Sequence, residues 1–418
     1  MFLKNLTLRN MRNYKKLELA LTPGLNLFYG GNAQGKTNLL EAACLLASLR
    51  SFRGVKPFAA VSWDAHEGLI QGEAAGGEAA RNRTPGVSTG HFRIRRLKLS
   101  IGQGERKVLL DGKRPESAAD YLLSVRVISF SPEDLFLVKE YPSSRRRFLD
   151  RSVFHLRPSY LGLVNQCRAA SKQLNSALKG AGGARGPEGV NKRDLPQKLS
   201  PKVFGATFFQ KGSEAGGVSG TSDIGHIKSW EEAAAPLFAE VTLRRRERAE
   251  TLAPLAGEIF EKTLGGGRLA LKYRSAAKGA DARELTEDYL RLFEKRRPEG
   301  MKRRHSLVGP HTDDLEVLLD GREMKLTASR GQGKLALLSL VLADAVQYKE
   351  SAGEYPVLLF DDAGSELDES RLGALLEMVS TMGQALITST DGGLLGNREG
   401  AKFKVETDQD GARVSLRI

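Results

Sequence analysis

The segment Gly30–Thr37 constrains the fold of this chain more than any other, because it fits the pattern G-x-x-x-x-G-K-S/T. Residues 25–29 before it predict a short buried strand, and residues 38–46 after it predict a helix with an apolar face. Glycines let backbone N–H groups close around phosphate, and a helix N-terminus adds positive potential there. We expect Lys36 to reach the β- and γ-phosphates of a nucleotide and the Thr37 hydroxyl to hold Mg²⁺. The pattern therefore predicts a phosphate-binding strand–loop–helix unit, with a chance glycine turn as the alternative.

A second candidate element lies far along the chain, where the apolar run 357–360 is followed by Asp361 and Asp362. A continuous apolar run predicts a central parallel strand, and open α/β sheets bind ligands at the carboxyl ends of such strands. We expect Asp361 to hold Mg²⁺ together with Thr37. Asp362 is the predicted catalytic residue that orients the attacking water, and Lys36 is the predicted catalytic cation. Taken alone, the segment is as well explained by an ordinary strand end; together with the glycine loop it predicts a Walker B element.

A third element, residues 329–332, precedes a predicted helix and resembles the S-G-G-Q signature of ABC-type ATPases, with Arg330 in place of one glycine. A serine hydroxyl, a glycine N–H and a helix N-terminus together form an anion site. In ABC-type ATPases this site faces the γ-phosphate held by the other subunit. The alternative is a plain helix N-cap by Ser329. Residues 365–368 resemble the D-loop of the same superfamily, again with a helix cap as the alternative.

These elements define a predicted site for ATP and Mg²⁺. Thr37 and Asp361 are the expected metal ligands. For Asn32, a turn residue with positive φ is an equally weighted alternative. The residues expected to contact the nucleotide are Gly30, Gly31, Asn32, Ala33, Gln34, Gly35, Lys36, Thr37, Asn38, Ser329, Gly331 and Gln332.

The charge and composition of the 418 residues narrow the class of partner. The formal net charge is +14, from 64 Lys and Arg less 50 Asp and Glu, which favours a polyanion: nucleic acid first, an anionic membrane second. A generally basic proteome is the alternative. Cys44 and Cys167 are the two cysteines, which favours a reducing compartment. No apolar run reaches the length of a membrane span, so we expect a cytoplasmic protein without membrane contact.

Clusters of basic residues are spread along the chain. A run of charges is usually a solvated face, but several runs in so basic a chain favour contact with the DNA backbone. Aromatic residues are few beside them, so stacking on single strands is less favoured. The clusters are 93–98, 145–147, 244–246, 295–297 and 302–304.

Taken in order, the motifs resemble the RecF family of bacterial DNA repair proteins, which are SMC-like, ABC-type ATPases without a long coiled coil. The resemblance covers about residues 1–180 and 228–395. It implies an α/β fold: an ABC-type P-loop ATPase head with an inserted helical arm domain. Besides the three elements above, the segments that carry it are Leu6–Tyr14, Arg50–Arg53, Phe130–Leu135, Arg145–Asp150 and Gly309–Leu315.

The resemblance also gives a domain plan. Residues 1–142 are expected to form the N-terminal half of the ATPase head, and 306–418 its C-terminal half. The helical arm is expected over 143–305. Within the arm, residues 180–225 are dense in Gly, Lys, Ser and Pro and predict a flexible insertion, with a compact functional loop as the alternative.

The function implied by the resemblance is ATP-dependent DNA binding in recombinational repair and replication, including the SOS response. Two copies would pair with ATP between them, each Ser329 facing the Lys36 of the other, on duplex, gapped or junction DNA. With RecR and RecO, and through them RecA, such a dimer would help load recombinase at single-strand gaps, associated with the nucleoid. Whether it is an enzyme stays open; the resemblance implies a weak, DNA-stimulated ATPase that acts as a switch.

Two other functions remain open at this point. One is a nucleotide-gated DNA scaffold whose turnover is incidental, and the other is the ATPase subunit of an ABC transporter. Transporters place a histidine after the last core strand, where this chain has residues 388–391 without histidine. The γ-phosphate contact is therefore expected from Thr390 or a neighbour.

Overall fold

The computed structural model describes residues 1–76, 93–139, 141–180, 219–264, 266–365, 367–408 and 411–417. Residues 181–218, most of the predicted insertion 180–225, lie outside the described residues, as does Glu366 of the predicted D-loop. The chain divides into two compact units. The first comprises Met1–Leu161, Arg244–Arg274 and Asp314–Ile418, and the second comprises Gly162–Leu243 and Ser275–Asp313.

The arm expected over 143–305 does not coincide with either unit. Residues 143–161 and 244–274, which lie inside that range, pack with the first unit. The helix Ser219–Ile259 is divided between the two units after Leu243, because one continuous helix can leave one core and enter another. The three-part domain plan stays a prediction.

The strands and helices follow the local patterns of the sequence. The strands are β1 (Phe2–Met11), β2 (Tyr14–Ala20), β3 (Leu25–Tyr29), β4 (Glu67–Gly76), β5 (Arg93–Gly102), β6 (Arg106–Leu110), β7 (Val127–Phe130), β8 (Leu269–Arg274), β9 (Asp314–Leu319), β10 (Arg322–Glu323), β11 (Val357–Phe360), β12 (Ala385–Ser389), β13 (Gly400–Asp408) and β14 (Gly411–Arg417). The helices are α1 (Lys36–Ser48), α2 (Ala118–Leu122), α3 (Phe136–Lys139), α4 (Pro142–Leu156), α5 (Tyr160–Gly180), α6 (Ser219–Ile259), α7 (Ala282–Arg303), α8 (Met324–Thr327), α9 (Arg330–Ala352) and α10 (Glu369–Ser380).

A six-stranded sheet in the first unit positions the candidate site. Its order is β14-β13-β3-β12-β11-β7, and all neighbours run parallel except β13 and β14. Strands β7, β11 and β12 are buried along their whole length, as expected for parallel strands covered on both faces. Only β12 separates β3 from β11, so the loops that follow these two strands leave the same edge of the sheet. This order brings the two distant motifs together.

Helix α1 is buried almost all round. Its Leu39, Leu40, Leu45 and Leu46 belong to a core cluster shared with β1, β4, β5 and the six-stranded sheet. The five-stranded antiparallel sheet that completes this core has the order β2-β1-β4-β5-β6. A helix that is apolar on all sides is stable only when buried, which explains why α1 lies within the core rather than on its surface.

Helix α9 lies in a second core cluster, on the face of the six-stranded sheet opposite to α1. Helices α4 and α10 and the three-stranded sheet β10-β9-β8 contribute to the same cluster. Every residue of α9 from Gly333 to Ala345 is buried. The start of α9 is therefore fixed in direction by a long buried segment, which matters for the residues at its N-terminus.

The described part of the second unit is mainly helical, with residues 162–180 of α5, 219–243 of α6, and α7. The Phe238 ring contacts the rings of Tyr289 and Phe293, with centroids 5.7 and 5.8 Å apart. Arg297 and Glu231 form an ion pair with a shortest N–O distance of 2.6 Å, and both side chains are largely buried. Across the described helices of both units, none combines the length and apolar character that a membrane crossing requires.

Candidate nucleotide site

The loop between β3 and α1 needs glycine at two positions. Gly30 has φ +152°, and a Cβ there would lie 2.3 Å from the carbonyl oxygen of Val405. Gly35 has φ +100°, and a Cβ there would lie 2.6 Å from the side-chain amide of Asn13. A side chain at either position would displace its neighbour, so the loop path depends on these glycines. Ala33 also has positive φ, at +62°.

Two residues predicted to contact the nucleotide, Gln34 and Asn38, form hydrogen bonds that stabilise the loop in this structure. The Gln34 side chain accepts a hydrogen bond from the Thr407 backbone N–H, and the Thr407 hydroxyl donates to the Gln34 carbonyl at 3.0 Å. The Asn38 amide donates to Asn13 Oδ1 at 2.8 Å. Tyr14 OH donates to the Gly35 carbonyl at 3.1 Å. The β1–β2 hairpin and β13 therefore hold the loop in shape.

Lys36 lies across the same loop. Its Nζ donates to the carbonyl oxygens of Gly30 and Gly31 at 2.8 and 2.6 Å. Burial lowers the pKa of Lys36, while the carboxylates of Asp362 and Asp361 act in the opposite direction. The ammonium is thus held at the loop and within electrostatic reach of both carboxylates.

Thr37 and Asp361 are in direct contact. The Thr37 hydroxyl donates to Asp361 Oδ1 at 2.8 Å, although the residues come from opposite ends of the chain. The Thr388 hydroxyl donates to the same oxygen at 2.7 Å. Burial raises the pKa of Asp361, and the hydrogen bonds from Thr388 and Thr37 lower it. The result is a buried carboxylate beside two hydroxyl groups at the carboxyl end of β11.

Asp362 follows in a left-handed conformation, with φ +50°. Few residues other than glycine adopt this conformation, and Asp is among those that tolerate it. Its backbone N–H donates to the Thr388 hydroxyl at 2.8 Å. Thr388 therefore contacts both Asp361 and Asp362, a link that the sequence did not reveal because β12 is far from β11 along the chain.

Ser329 is the N-cap of α9. Its hydroxyl accepts from the Gln332 N–H at 3.1 Å, and the Gln332 side chain accepts from the Ser329 N–H at 2.9 Å. This reciprocal pair is a capping box, so the helix-cap alternative describes the contacts of Ser329 within this chain. Ser329 and Gln332 are exposed, and Gly331 is half-buried. Asn32 and Gly31 are also exposed, at the outer side of the glycine loop.

A buried carboxylate behind the loop was not predicted. Glu41 on α1 is 1% exposed and accepts hydrogen bonds from the side chains of Arg12, Ser51 and Arg53. Arg53 also donates to Asn38 Oδ1 at 3.1 Å. The sequence feature that could have indicated these ion pairs is the lone glutamate among the leucines and alanines of α1, because a buried carboxylate needs cationic partners.

Glu133 lies near the metal-binding residues predicted from the sequence. Burial raises the pKa of Glu133, the Arg53 guanidinium lowers it, and the Asp361 carboxylate raises it further. The segment that contains Glu133 therefore belongs to the electrostatic surroundings of the site.

Three of the basic clusters contribute buried or largely buried ion pairs instead of free surface charge, one of them the pair of Arg297 of 295–297 with Glu231. Arg145 is buried and donates to both carboxylate oxygens of Asp314, at 2.6 and 2.8 Å. Arg245 is buried and pairs in the same way with Asp150, at 2.8 and 3.0 Å. These arginines of 145–147 and 244–246 stabilise the fold, so contact with DNA by these clusters would have to come from their other members.

Comparison with known proteins agrees with this geometry. The chain matches the family described as the RecF/RecN/SMC N-terminal domain over residues 2–412. It is 31% identical to the DNA replication and repair protein RecF of Heliobacterium modesticaldum over 395 residues, which cover 93% of this chain and 92% of the relative.

Two solved structures are similar over the whole chain. One, described as the recombination mediator protein RecF with ATP in the RecFOR pathway, is 26% identical with a TM-score of 0.79, covering 100% of this chain and 98% of that one. An Smc head bound to the C-terminal winged-helix domain of ScpA has a TM-score of 0.52 at 13% identity, covering 100% and 98%, and shows likeness of fold alone. The expected fold class, an ABC-type P-loop ATPase head with an inserted helical arm, is confirmed. The chain belongs to the RecF family.

Proposed function

We propose that this chain is an ATP-dependent DNA-binding protein of recombinational repair and replication that pairs with a second copy when ATP is bound. The contact between Thr37 and Asp361 carries the proposal, because it joins the glycine loop to the carboxylate strand at 2.8 Å. The similar solved RecF structure with ATP supports the choice of nucleotide.

The residues at this contact suit Mg²⁺. A hydroxyl and a carboxylate are oxygen ligands, and Mg²⁺ is usually held by one or two such protein groups together with phosphate oxygens. Thr37 and Asp361 would hold the ion, which when bound neutralises negative charge on the phosphate oxygens. Lys36 would bind the β- and γ-phosphates through its ammonium, at the helix N-terminus where backbone N–H groups also face an anion.

Asp362 would orient the water that attacks the γ-phosphate. Phosphoryl transfer depends mainly on positioning and on stabilising charge, so a carboxylate in a fixed turn is suited to the role. Its backbone is held by Thr388, whose hydroxyl also holds Asp361. We infer a slow ATPase that acts as a switch, stimulated by DNA.

A second copy would complete the site. Ser329 and Gln332 are exposed at the N-terminus of α9, and the nearby Leu326 is 78% exposed. This end of α9 is therefore accessible to another molecule, with the exposed Leu326 beside a helix terminus that we expect to bind the γ-phosphate. ATP would lie between the glycine loop of one copy and Ser329 of the other. The coupling between nucleotide and dimer contacts is expected to be about 1–3 kcal/mol per site.

Ser329→Arg is expected to bind ATP with normal affinity but to remain monomeric, since a bulky cation at the helix N-terminus would obstruct the second copy and not the glycine loop. Sedimentation velocity with and without ATP measures the association, and a fluorescent ATP analogue measures binding. Ser380→Arg, an exposed serine at the end of α10, is the matched control. Normal ATP-dependent pairing of Ser329→Arg would show that this segment does not act between copies.

DNA binding is proposed from the charge of the chain and from exposed basic residues. Arg93, Arg96, Lys107, Lys113 and Arg114 are exposed on and after β5 and β6. Arg96 pairs with Glu73 and Lys107 pairs with Glu105, so only part of this charge is available. Since contacts to phosphates do not read bases, binding to duplex DNA is expected to show little sequence preference.

We expect the affinity for duplex or gapped DNA to increase with ATP and to fall steeply with salt. If about six phosphates are neutralised, affinity falls by about 10³-fold between 50 and 200 mM salt. Fluorescence anisotropy with labelled DNA at several salt concentrations measures both effects. Affinity that is independent of salt would contradict the DNA-binding part of the proposal.

The proposed protein partners are taken from the RecF family to which the chain belongs. RecR and RecO, and indirectly RecA, are the proposed partners at single-strand gaps, consistent with the RecFOR pathway in which the similar RecF structure is placed. Comparing ATP hydrolysis with and without DNA separates the switch from a scaffold with incidental turnover, because only the switch requires stimulation.

A further inference from the structure

A buried ammonium outside the predicted site contacts the turn that carries Asp362. Lys334 lies on α9 and is 2% exposed. Its Nζ donates to the Asp362 carbonyl at 3.0 Å, to the Ser365 hydroxyl at 2.9 Å, and also to the Ser365 carbonyl. The same Nζ lies 5.8 Å from the centre of the Phe130 ring. A buried ammonium is costly unless oxygen atoms surround it, and here the oxygens of one turn do so.

These contacts restrict the direction of the Asp362 side chain. Asp362 has φ +50°, and the peptide groups on both sides of its Cα are held from outside the turn. Its N–H donates to the Thr388 hydroxyl, and its carbonyl accepts from Lys334. Because the two flanking peptide groups fix the direction of the Cα–Cβ bond, Thr388 and Lys334 together set the direction in which the Asp362 side chain leaves the backbone.

The turn is closed by internal hydrogen bonds to the same oxygen. The Ser365 hydroxyl and N–H donate to the Asp362 carbonyl, at 3.0 and 3.3 Å. Lys334 therefore contacts both ends of a turn that also bonds to itself. Removal of the ammonium would leave the internal hydrogen bonds but would release the turn from α9.

The position of Lys334 on α9 adds a second consequence. Lys334 is five residues after Ser329, on a helix whose following residues are buried. A displacement of the start of α9 when it meets a second copy would therefore act directly on the Asp362 turn. Within one chain, the helix that would reach the partner's nucleotide is hydrogen-bonded through Lys334 to the backbone of Asp362, whose carboxylate would act on the nucleotide held by the same chain.

We propose that Lys334 is a positioning residue for ATP hydrolysis, which holds the Asp362 turn against α9 and so couples the carboxylate to the helix that bears Ser329. The inference rests on the proposed function, in which Asp362 orients water and Ser329 acts between copies. Lys334 itself touches neither nucleotide nor water in this scheme. Its effect passes through the backbone of Asp362.

Lys334→Met keeps the length and apolar stem of the side chain and removes the ammonium. We expect kcat for ATP to fall about 10- to 100-fold, as for a misplaced catalytic group, while nucleotide affinity and KM stay within about twofold. Lys334→Arg, which retains a cation and donors, is expected to recover part of kcat. Lys349→Met, an exposed lysine in the last turn of the same helix, is the matched control.

Hydrogen–deuterium exchange of the full-length chain without nucleotide gives a readout that does not depend on turnover. In Lys334→Met, the peptide that contains residues 361–368 is expected to exchange faster, with the glycine loop and the rest of α9 unchanged. Failure of the wild-type chain to bind ATP would count against the proposed function, whereas unchanged exchange in this peptide would count against the role of Lys334.

The remaining outcomes also decide the proposal. Normal kcat in Lys334→Met would overturn it, as would an equal loss of nucleotide affinity and kcat with general loss of stability, which indicates a merely structural role. If Lys334→Met does not fold, Ser365→Ala replaces it, since this change keeps the ammonium and removes one acceptor of Lys334 together with one internal hydrogen bond of the turn. Ser365→Ala is expected to lower kcat with unchanged affinity, and unchanged kcat would overturn the proposal.

Discussion

Lys36→Ala is expected to lose ATP binding and ATP-dependent pairing together. The ammonium is the charged group at the glycine loop, and charge-assisted hydrogen bonds to phosphate are the strongest polar contacts available there. Affinity is expected to fall about 100-fold or more, from the loss of one or two such bonds of about 1.5–3 kcal/mol each. A titration with a fluorescent ATP analogue measures binding, and sedimentation velocity measures pairing.

The control for this change is Lys16→Ala, an exposed lysine of β2 paired with Glu18. Thermal melting separates loss of binding from loss of fold, because Lys36 also bonds to the Gly30 and Gly31 carbonyls. Dimers of Lys36→Ala that still form on addition of ATP would refute the assignment of the loop.

Asp362→Asn is expected to have the opposite profile, with ATP bound normally, turnover lowered and the dimer long-lived. Asn has nearly the same shape and also tolerates the left-handed conformation, so the turn is preserved. Loss of the positioning of a reacting group can cost about 10²-fold in rate, and a fall of about this size in kcat is predicted. Steady-state hydrolysis and the dimer lifetime after dilution measure the two effects.

Glu377→Gln is the control, because Glu377 is an exposed carboxylate of α10 that lies outside the predicted D-loop. Unchanged kcat in that variant shows that a carboxylate in this region is not needed in general. Normal turnover in Asp362→Asn would exclude Asp362 as the catalytic residue.

The local parts of the fold were predictable from the sequence. The strand expected over 25–29 is β3, and the apolar run 357–360 is β11. The helix expected to follow residues 329–332 begins at Arg330, with Ser329 as its cap. These elements are marked by glycine spacing, continuous apolar runs and capping residues, which act over a few neighbouring positions.

The contacts between distant segments were not predictable in the same way. The pattern at 388–391 marked a site segment but did not show that Thr388 would bond to both Asp361 and Asp362. The buried pair of Arg145 and Asp314 looked like a surface cluster, because a run of arginines has the same sequence whether it is solvated or paired. The contacts of Lys334 could not be predicted from the sequence, because its partners belong to a turn whose position depends on the folded sheet.

The boundary of the helical arm depends on tertiary structure for the same reason. Residues 244–259 of α6 continue a helix of the second unit but pack with the first. A continuous helical pattern gives no indication of where one core ends and the next begins.

Calorimetric titration of the full-length chain with ATP and Mg²⁺ tests the central claim most directly, that the two ends of the chain form one nucleotide site. The account predicts saturable heat that depends on Mg²⁺ and is lost in Lys36→Ala, with weakened dependence on Mg²⁺ in Asp361→Asn. The absence of binding heat in folded wild-type protein would contradict it.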